Sequence, residues 1–422
     1  MAIVDESTFS AERSPLTKRL MLSSRLPSAI RWLEDQAPSM VDTVVRWCQQ
    51  NSWSSNLAGL DTMADLLEQD FAALNLPCER FPLPSWTSID DDGKAIERPT
   101  GPALLWHHRP KASRRILLLI HYDTVYPPGS QPSDVERTPD DRLVGPGVAD
   151  AKGGIAVILY AMQAILKHDL AGEMGITVAL NPDEEVGSQS SSGLLRELSS
   201  QFEFALIFEP TLPDGALVAN RKGTANFSAT IRGRSAHAGR NLSDGRNAIV
   251  HAARLAIEVD AWNQTPEIIV NVGKLKGGGP LNQVPDFATM SLNVRVGSNE
   301  VVEDVLSRVS DIEKRYTTDG FSCEMNGQFH SPPKMIDGDE SVVNVRRRVI
   351  SAMTTSGRHV AWRDTGGACD GNKLKAFGLP NIDTMGPTGG NLHSPMEYCE
   401  IRSLAAAAKT IVHLIADAGC EP

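Results

Sequence analysis

The stretch RILLLIHYDTVYPPG (residues 115–129) places an apolar run directly before a histidine and an aspartate, His121 and Asp123. The run from 116 to 120 is typical of a strand that is buried on both faces of a parallel sheet. Because burial of polar and charged groups is costly, His121 and Asp123 require partners at the end of this strand. The stretch therefore predicts an α/β fold with a polar site at one edge of its sheet.

Apolar strands and amphipathic helices alternate from Leu104 to Pro210. Strands are predicted at ALLWHH, RILLLI, GITVAL and FALIFEP, and helices are predicted to begin at Gly153 and Ser192. This order is typical of an α/β domain with a mainly parallel sheet.

Beyond Asn220 the predicted order changes to strand, helix, strand, strand, helix and strand, a ferredoxin-like α+β arrangement of roughly 100 residues. After about Pro332 a helix, the strand NIDTM and a last helix return to the first pattern. We therefore expect one α/β domain formed by residues 1–220 and 333–422, with a smaller domain inserted at residues 221–332.

Composition excludes several classes of partner. A net charge of −11 argues against nucleic acid or an anionic membrane surface. No apolar run is long enough to span a bilayer, and the N-terminal segment lacks the apolar stretch of a secretory signal. The six cysteines show no CxxC spacing, so a cytoplasmic location is predicted. The N-terminal segment is expected to be either an arm packed on the α/β domain or a dimer contact.

Six acidic or histidine residues lie at predicted strand ends or directly before a helix: His121, Asp123, Asp150, Glu184, Glu185 and Glu209. Ligands of open α/β sheets bind at the carboxyl ends of the strands, so these side chains are expected to converge. Their carboxylates would repel one another unless a cation lay between them. Carboxylates with imidazole suit zinc or a similar metal. With His393, from GGNLHSPMEY, the set suffices for two metal ions that share a carboxylate.

Each of these residues has another explanation when it is taken alone. His121 could be a hydrogen-bonded loop residue, and Glu184 with Glu185 could form a solvated helix N-terminus. The segment DAKGG could be a turn into a helix, and GPTGGNLHSP could be a surface loop. Their joint position at strand ends favours the metal centre.

In order along the chain, HYDTVYPPG, GPGVADAKGG, NPDEEVGSQSS, FEP, GRSAHAG and NLHSPMEY resemble the motifs of the acetylornithine deacetylase, aminoacylase and carboxypeptidase G family of zinc metallopeptidases. These segments look closest to the glutamate carboxypeptidase branch. The resemblance implies a zinc-peptidase-like α/β catalytic domain and an inserted ferredoxin-like lid that forms a homodimer.

The resemblance also implies a role for each site residue. Two divalent metal ions are expected per chain, with zinc as the first choice and cobalt or manganese as alternatives. The implied ligands are His121, Asp150 and Glu209 for one ion, and Asp150, Glu185 and His393 for the other. Glu184 would be the general base for a water between the ions, and Asp123 would orient His121. The peptide bond between Asp150 and Ala151 would be cis.

Other residues would contact the substrate. By the same resemblance, His237 in RGRSAHAGR would reach from the lid into the partner's active site and stabilise an oxyanion. Asn282 and Arg295 would face the substrate from the lid, and Gly367 lies in GGACDGN, a glycine-rich element beside the substrate. From the residues alone, a turn histidine explains His237 better, and a salt-bridged strand residue explains Arg295 equally well.

One segment departs from the family pattern. Glutamate carboxypeptidases resembling this chain have an arginine near the last lid strand, where this chain has Gln328 and His330 in EMNGQFHSPPKM. A neutral amide cannot replace a bidentate arginine in carboxylate recognition. The predicted activity is therefore cleavage of an amide bond in a small N-acyl amino acid or dipeptide, with glutamate specificity left open. The alternatives are an N-acyl amino acid deacylase and a non-catalytic metal-binding relative. A phosphohydrolase is disfavoured because the chain has no P-loop.

Overall fold

The computed structural model describes residues 15–130 and 134–419 of the chain. The helices are α1 Pro15–Asp35, α2 Ala37–Cys48, α3 Leu57–Phe71, α4 Lys152–Lys167, α5 Ser192–Ser199, α6 Ala248–Asp260, α7 Asn299–Tyr316, α8 Glu340–Thr355, α9 Asp370–Ala376 and α10 Ile401–Ala418. The strands are β1 Cys78–Phe81, β2 Trp86–Ile89, β3 Ala95–Arg98, β4 Ala103–His108, β5 Arg115–His121, β6 Glu136–Arg137, β7 Arg142–Val144, β8 Gly175–Asn181, β9 Phe204–Ile207, β10 Leu217–Arg221, β11 Gly223–Arg232, β12 Ile268–Gly277, β13 Phe287–Val296, β14 Ser322–Ser331, β15 Trp362–Thr365, β16 Asn381–Ile382, β17 Gly389–Gly390 and β18 Tyr398–Glu400.

The main sheet has the order β1-β4-β8-β5-β9-β16. Strand β5 lies in its centre, parallel to both β8 and β9, and β16 is parallel to β9. The side chains of β5 alternate between two apolar clusters. Ile116 and Leu118 pack with α4 and α10, whereas Leu117 and Leu119 pack with α5. The prediction of an α/β fold with a strand buried on both faces is therefore confirmed.

Parts of this architecture were not predicted from the sequence. The pairs β1–β4 and β4–β8 are antiparallel, so the sheet is mixed at one edge. NIDTM contributes only the two residues of β16 to the sheet. Strands β2 and β3 form a separate antiparallel hairpin, and β17, β18, β7 and β6 form a small sheet beside the main one. These short strands have too few residues for a clear alternation of polar and apolar side chains.

The second large sheet has the order β12-β13-β11-β14, with every neighbouring pair antiparallel. Helices α6 and α7 connect its strands in the predicted βαββαβ order. One face of the sheet packs on these helices around its own core, which includes Phe227, Met290 and Ile312. The other face is polar. We call this ferredoxin-like unit the lid, and its predicted fold is confirmed.

The N-terminal helix α1 packs on the α/β part of the molecule. Leu22, Ala29 and Leu33 are buried in the core that contains α4 and α10. Arg25 forms an ion pair with Asp169 at 2.6 Å. Of the two expectations for the N-terminal segment, packing on the α/β domain is therefore observed for the part of α1 from Leu22 to Leu33. Residues 1–14 lie outside the described part.

Within residues 15–130 and 134–419, no helix combines the length and apolar character needed to cross a membrane. Cys48, Cys78, Cys323, Cys369 and Cys399 are free thiols, and Cys420 lies outside the described residues. The cytoplasmic location stays a prediction.

Candidate active site

The site begins at the end of β5, where the sheet delivers His121 into a buried group of carboxylates. Its Nε2 lies 2.9 Å from Asp150 Oδ1 and 3.8 Å from Glu209 Oε1. On its other side, Nδ1 lies 3.2 Å from Asp123 Oδ1. His121 is thus held by Asp123 and directed at Asp150 and Glu209, the arrangement that the sequence predicted for a metal-binding imidazole.

A second group shares Asp150 with the first. His393 Nε2 lies 3.4 Å from Asp150 Oδ2 and 3.2 Å from Glu185 Oε2. In each group of three residues, one candidate ligand atom from each residue lies within 4.8 Å of the other two. The structure therefore brings together all five predicted metal ligands, with one Asp150 oxygen facing each group.

Local structure fixes Asp150 between the two groups. It immediately precedes α4, and the Asp150–Ala151 peptide bond is cis, as predicted. At Gly154, in the first turn of α4, a Cβ would collide with the backbone carbonyl of Phe208, so only glycine lets the helix approach the end of β9. The glycines of DAKGG thus have a packing reason, and they bring Asp150 close to Glu209.

The electrostatics of the group agree with a cation site. Burial raises the pKa of Glu185 to about 7 and that of Glu209 to about 8. Hydrogen bonds to Asp150 and Glu185 raise the pKa of His393 to about 11. Without a metal, protons must therefore offset the repulsion among these carboxylates. Bound cations would displace these protons, because metal ligands bind in their deprotonated forms.

The donor set also fits metal ions. Two histidine nitrogens and carboxylate oxygens from Asp150, Glu185 and Glu209 are ligands that zinc and similar ions accept. Glu185 Oε1 is buried and has no hydrogen-bond partner among the described residues, so a ligand atom there is unsatisfied by protein.

Asp123 positions other parts of the site in addition to His121. Its two carboxylate oxygens accept the backbone N–H groups of Glu184 at 3.1 Å and Glu185 at 3.2 Å. Ser54 Oγ donates a further hydrogen bond to it at 2.6 Å. Asp123 therefore positions both the imidazole and the turn that carries the predicted general base.

Glu184 lies beside both metal groups but belongs to neither. Burial raises its pKa well above the usual range, with Glu209 and Glu185 adding to the rise and His121 opposing it. A carboxyl group with a raised pKa accepts a proton more readily than an ordinary glutamate, and proton uptake is what a general base requires.

Two further residues, Glu397 and Tyr126, support the site and were not predicted from the sequence. Glu397 Oε1 accepts the backbone N–H groups of Ala149 and Asp150, each at 3.0 Å, and Tyr126 donates to its other oxygen at 2.6 Å. These bonds anchor the backbone that carries Asp150. Glu397 lies in NLHSPMEY and Tyr126 in HYDTVYPPG, two segments that resemble family motifs, but only the fold shows that the two side chains meet.

The predicted lid residues His237 and Asn282 make their contacts away from the two groups of metal ligands. His237 is exposed, its Nδ1 accepts the Gly239 N–H at 3.1 Å, and its neighbour Ala238 donates to the Asn282 carbonyl. Asn282 is exposed as well. Both therefore lie on one outer edge of the lid, and their contacts are made within it.

Arg295 and Gly367 lie where the lid meets the α/β part. Arg295 Nη1 donates to the Gly366 carbonyl at 2.6 Å, and Arg221 Nη1 donates to the Gly367 carbonyl at 3.1 Å. Two arginines thus fix the backbone of the GGACDGN loop. His330 lines a cleft that Glu185 also lines.

Comparison with known proteins gives a consistent result. The profile of peptidase family M20/M25/M40 matches residues 117–417. Carboxypeptidase G2 from Pseudomonas sp. (strain RS-16) is 26% identical over 388 residues, which cover 91% of this chain and 90% of that protein. A tripeptidase from Staphylococcus aureus has a similar structure, with a TM-score of 0.72, 21% identity and coverage of 91% of this chain and 99% of that chain. A dinuclear metal-binding peptidase of the M20 family from Bacillus subtilis gives a TM-score of 0.63 at 13% identity, with coverage of 91% of this chain and 99% of that chain.

Proposed function

The chain belongs to peptidase family M20/M25/M40, and from this premise we propose that it is a two-metal hydrolase that cleaves the amide bond of a small dipeptide or N-acyl amino acid. Family membership makes it a metallopeptidase or amidohydrolase. The observation that carries the two-metal proposal is the pair of ligand groups that share Asp150.

We assign the metal ligands as the two groups found in the structure: His121, Asp150 and Glu209 for one ion, and Asp150, Glu185 and His393 for the other. Zinc is the expected metal, with cobalt or manganese as alternatives. When bound, the two cations would polarise the amide carbonyl and lower the pKa of the attacking water.

The protein's own residues supply the proton transfer. Glu184 takes a proton from the attacking water and then delivers it to the leaving nitrogen. Asp123 accepts the Glu184 N–H at 3.1 Å and thereby keeps this carboxyl group in place. His121, also held by Asp123, keeps its Nε2 directed into the site.

Two classes of amide hydrolase remain as candidates. Similarity to carboxypeptidase G2 over 91% of the chain supports release of a C-terminal amino acid. The neutral residues Gln328 and His330, in place of the arginine expected near the last lid strand, support the second candidate, removal of an acyl group from an N-acyl amino acid.

Metal removal tests the proposed reaction. We expect the zinc-loaded protein to release amino acids from a panel of dipeptides and N-acyl amino acids, and a chelator to abolish this release because the carboxylates alone cannot activate water. Readdition of zinc should restore it. Release that persists after the metal content has fallen to zero would contradict the two-metal mechanism.

We further propose that the chain divides into residues 1–220 and 333–422 as catalytic domain and 221–332 as lid, and that the lid forms a homodimer. The separate sheet and core of the lid support this division. Support for the dimer comes from β12, which is an edge strand, and from apolar side chains that are exposed beside it, including Ile257 on α6 and Ile269 on β12.

In this dimer His237 would act in the partner's site, with Asn282 beside it, by stabilising the oxyanion. We expect His237→Ala to lower kcat by about 100-fold, the usual cost of losing one oxyanion donor, without changing the metal content. Steady-state kinetics and metal analysis measure the two quantities. His359→Ala, which removes an exposed histidine outside the lid, is the matched control and should leave kcat unchanged.

Mixed dimers test whether His237 acts across the interface. When a Glu184→Gln chain and a His237→Ala chain are coexpressed, a heterodimer contains one site with both wild-type residues only if His237 comes from the partner. Random mixing then restores activity to about one quarter of the sites. No recovery in the presence of purified heterodimer would show that His237 does not act in trans.

A further inference from the structure

A cleft of about 700 Å³ lies between the polar face of the lid sheet and the β2–β3 hairpin, and Glu185 lines one end of it. Val186 and Gln189, on the turn after Glu185, line the same end. The cleft therefore leads directly from the second metal group. A substituent next to the scissile amide would lie in it if the protein hydrolyses amides as proposed.

The floor of the cleft is a row of side-chain amides that crosses all four strands of the lid sheet. Asn271 on β12 pairs in register with Asn293 on β13, Asn293 with Asn226 on β11, and Asn226 with Gln328 on β14. Because side chains alternate along a strand, these four point away from the apolar core of the lid. In the next row, Ser291 lies opposite Ser228 on β11 and opposite Lys274 on β12. The two serines line the cleft, whereas Lys274 does not line it and pairs with Asp91.

Some of these amides have partners and others do not. Asn293 Nδ2 donates to Asn226 Oδ1 at 2.9 Å, and the Asn226 amide lies 3.3 Å from His330 Nε2. Among the described residues, the side chains of Asn271 and Gln328 make no hydrogen bond, although both line the cleft. The row therefore combines fixed amides with free donors and acceptors that a ligand could use.

The cleft offers no cation to a carboxylate. None of its described lining residues is a lysine or an arginine, and the one carboxyl residue among them, Glu185, belongs to a metal group. Burial, with Lys373 and Arg295 nearby, lowers the pKa of His330 to about 4, so its imidazole is neutral. Neither of these two cations lines the cleft. Lys373 donates to the Gly187 carbonyl at 2.7 Å. Arg295 donates to the Gly366 carbonyl at 2.6 Å through Nη1 and, through Nε, to Asn293 Oδ1 in the amide row at 3.2 Å.

The β2–β3 hairpin covers this floor. Trp86 and Ile89 line the cleft from above, and Asp91, at the hairpin tip, forms ion pairs with Lys274 and Lys276 of β12. The hairpin thus connects the α/β part to the edge strand of the lid, and it places an aromatic wall opposite the amide row.

We propose that this cleft is a specificity subsite for an uncharged, hydrogen-bonding substituent of the substrate, such as a carboxamide, and that it discriminates against a carboxylate. The amide row can donate to and accept from a carboxamide at the same time. A carboxylate would lose its hydration without gaining a cationic partner. The inference rests on the proposed function for the position of the scissile bond, and its test uses binding as well as turnover.

The test compares isosteric pairs of dipeptides, Gln-Ala with Glu-Ala and Ala-Gln with Ala-Glu. We expect the metal-loaded Glu184→Gln variant to bind the carboxamide member of at least one pair about tenfold more tightly by calorimetry, and the wild-type kcat/KM to show the same preference. Gln328→Arg should remove or reverse this preference by adding a cation to the row. Gln264→Arg adds the same charge at an exposed lid position outside the cleft and should leave the preference unchanged.

Equal or tighter binding of the carboxylate members by the Glu184→Gln variant would overturn the proposal, as would a preference that Gln328→Arg does not alter. Failure to bind any of the four dipeptides would also overturn it. If binding shows the expected preference but no dipeptide is hydrolysed by the wild type, the subsite stands and the proposed reaction fails.

Discussion

Replacement of Glu184 by glutamine is expected to lower kcat by about 10³-fold or more while both metal ions stay bound. General acid–base catalysis by a positioned side chain contributes about 10²–10⁴-fold, and here one carboxyl group serves both proton transfers. Glu184 belongs to neither ligand group, so its loss removes no metal ligand. Glutamine retains the shape of the side chain and cannot take up the proton from water.

The measurement combines steady-state kinetics with metal content for the same preparation. Glu197→Gln, which neutralises an exposed glutamate on α5, serves as the matched control and should retain wild-type turnover. Asp150→Asn provides a contrast, because it alters the residue shared by both groups and should lower metal content as well. A Glu184→Gln protein that keeps more than a tenth of the wild-type kcat would refute the role of Glu184 as the base.

Replacement of Asp383 by alanine is expected to destabilise the fold by about 3–5 kcal/mol, the usual cost of removing one partner from a buried ion pair. Arg221 binds Asp383 through two hydrogen bonds, at 2.9 and 2.8 Å, and Lys334 Nζ binds it at 2.6 Å. Lys334 and Asp383 are fully buried. The alanine variant would leave two cations in the interior without an anion.

Arg221, Lys334 and Asp383, which we call the buried triad, lie where the lid joins the α/β part of the chain. Arg221 ends β10, two residues before the first lid strand, and Lys334 comes three residues after the last one. Their backbones are hydrogen-bonded to each other at 2.8 and 3.0 Å. Asp383 follows β16 of the main sheet. One carboxylate therefore joins both chain connections of the lid to the catalytic part.

Chemical denaturation with a two-state fit measures the expected loss for Asp383→Ala. Asp214→Ala is the matched control, because Asp214 pairs with Arg363 at the surface and its removal should cause no measurable change. Equal denaturation midpoints for wild type and Asp383→Ala would show that the triad contributes nothing net to stability.

The same triad predicts how acid affects the fold. Arg221 and Lys334 outweigh the effect of burial and hold the pKa of Asp383 well below its usual range. Because the folded pKa is the lower one, this stabilisation is present at neutral pH and is lost as pH falls below the ordinary pKa of an aspartate. The free energy of unfolding of Asp383→Asn, measured against pH, should therefore fall less steeply in acid than that of the wild type.

The fold class, the order of elements in the lid and the group of candidate metal ligands could be predicted from the sequence alone. These follow from local signals: the apolar run that forms β5 is a continuous segment, and His121, Glu184, Glu185 and Glu209 lie at or shortly after the ends of predicted strands. Because the carboxyl ends of the parallel strands lie at one edge of an α/β sheet, a local pattern was enough to predict that residues distant in sequence lie close together.

The side chains that support and surround that site could be identified only from the folded structure. Glu397 anchors the backbone at Asp150 from 247 residues away, and Asp383 meets Arg221 across 162 residues. The amide row likewise depends on the register of four strands, because a shift of one residue would turn each side chain to the opposite face. Contacts between such distant residues depend on packing and on the need of buried polar groups for hydrogen-bond partners. Neither produces a periodic pattern in the sequence.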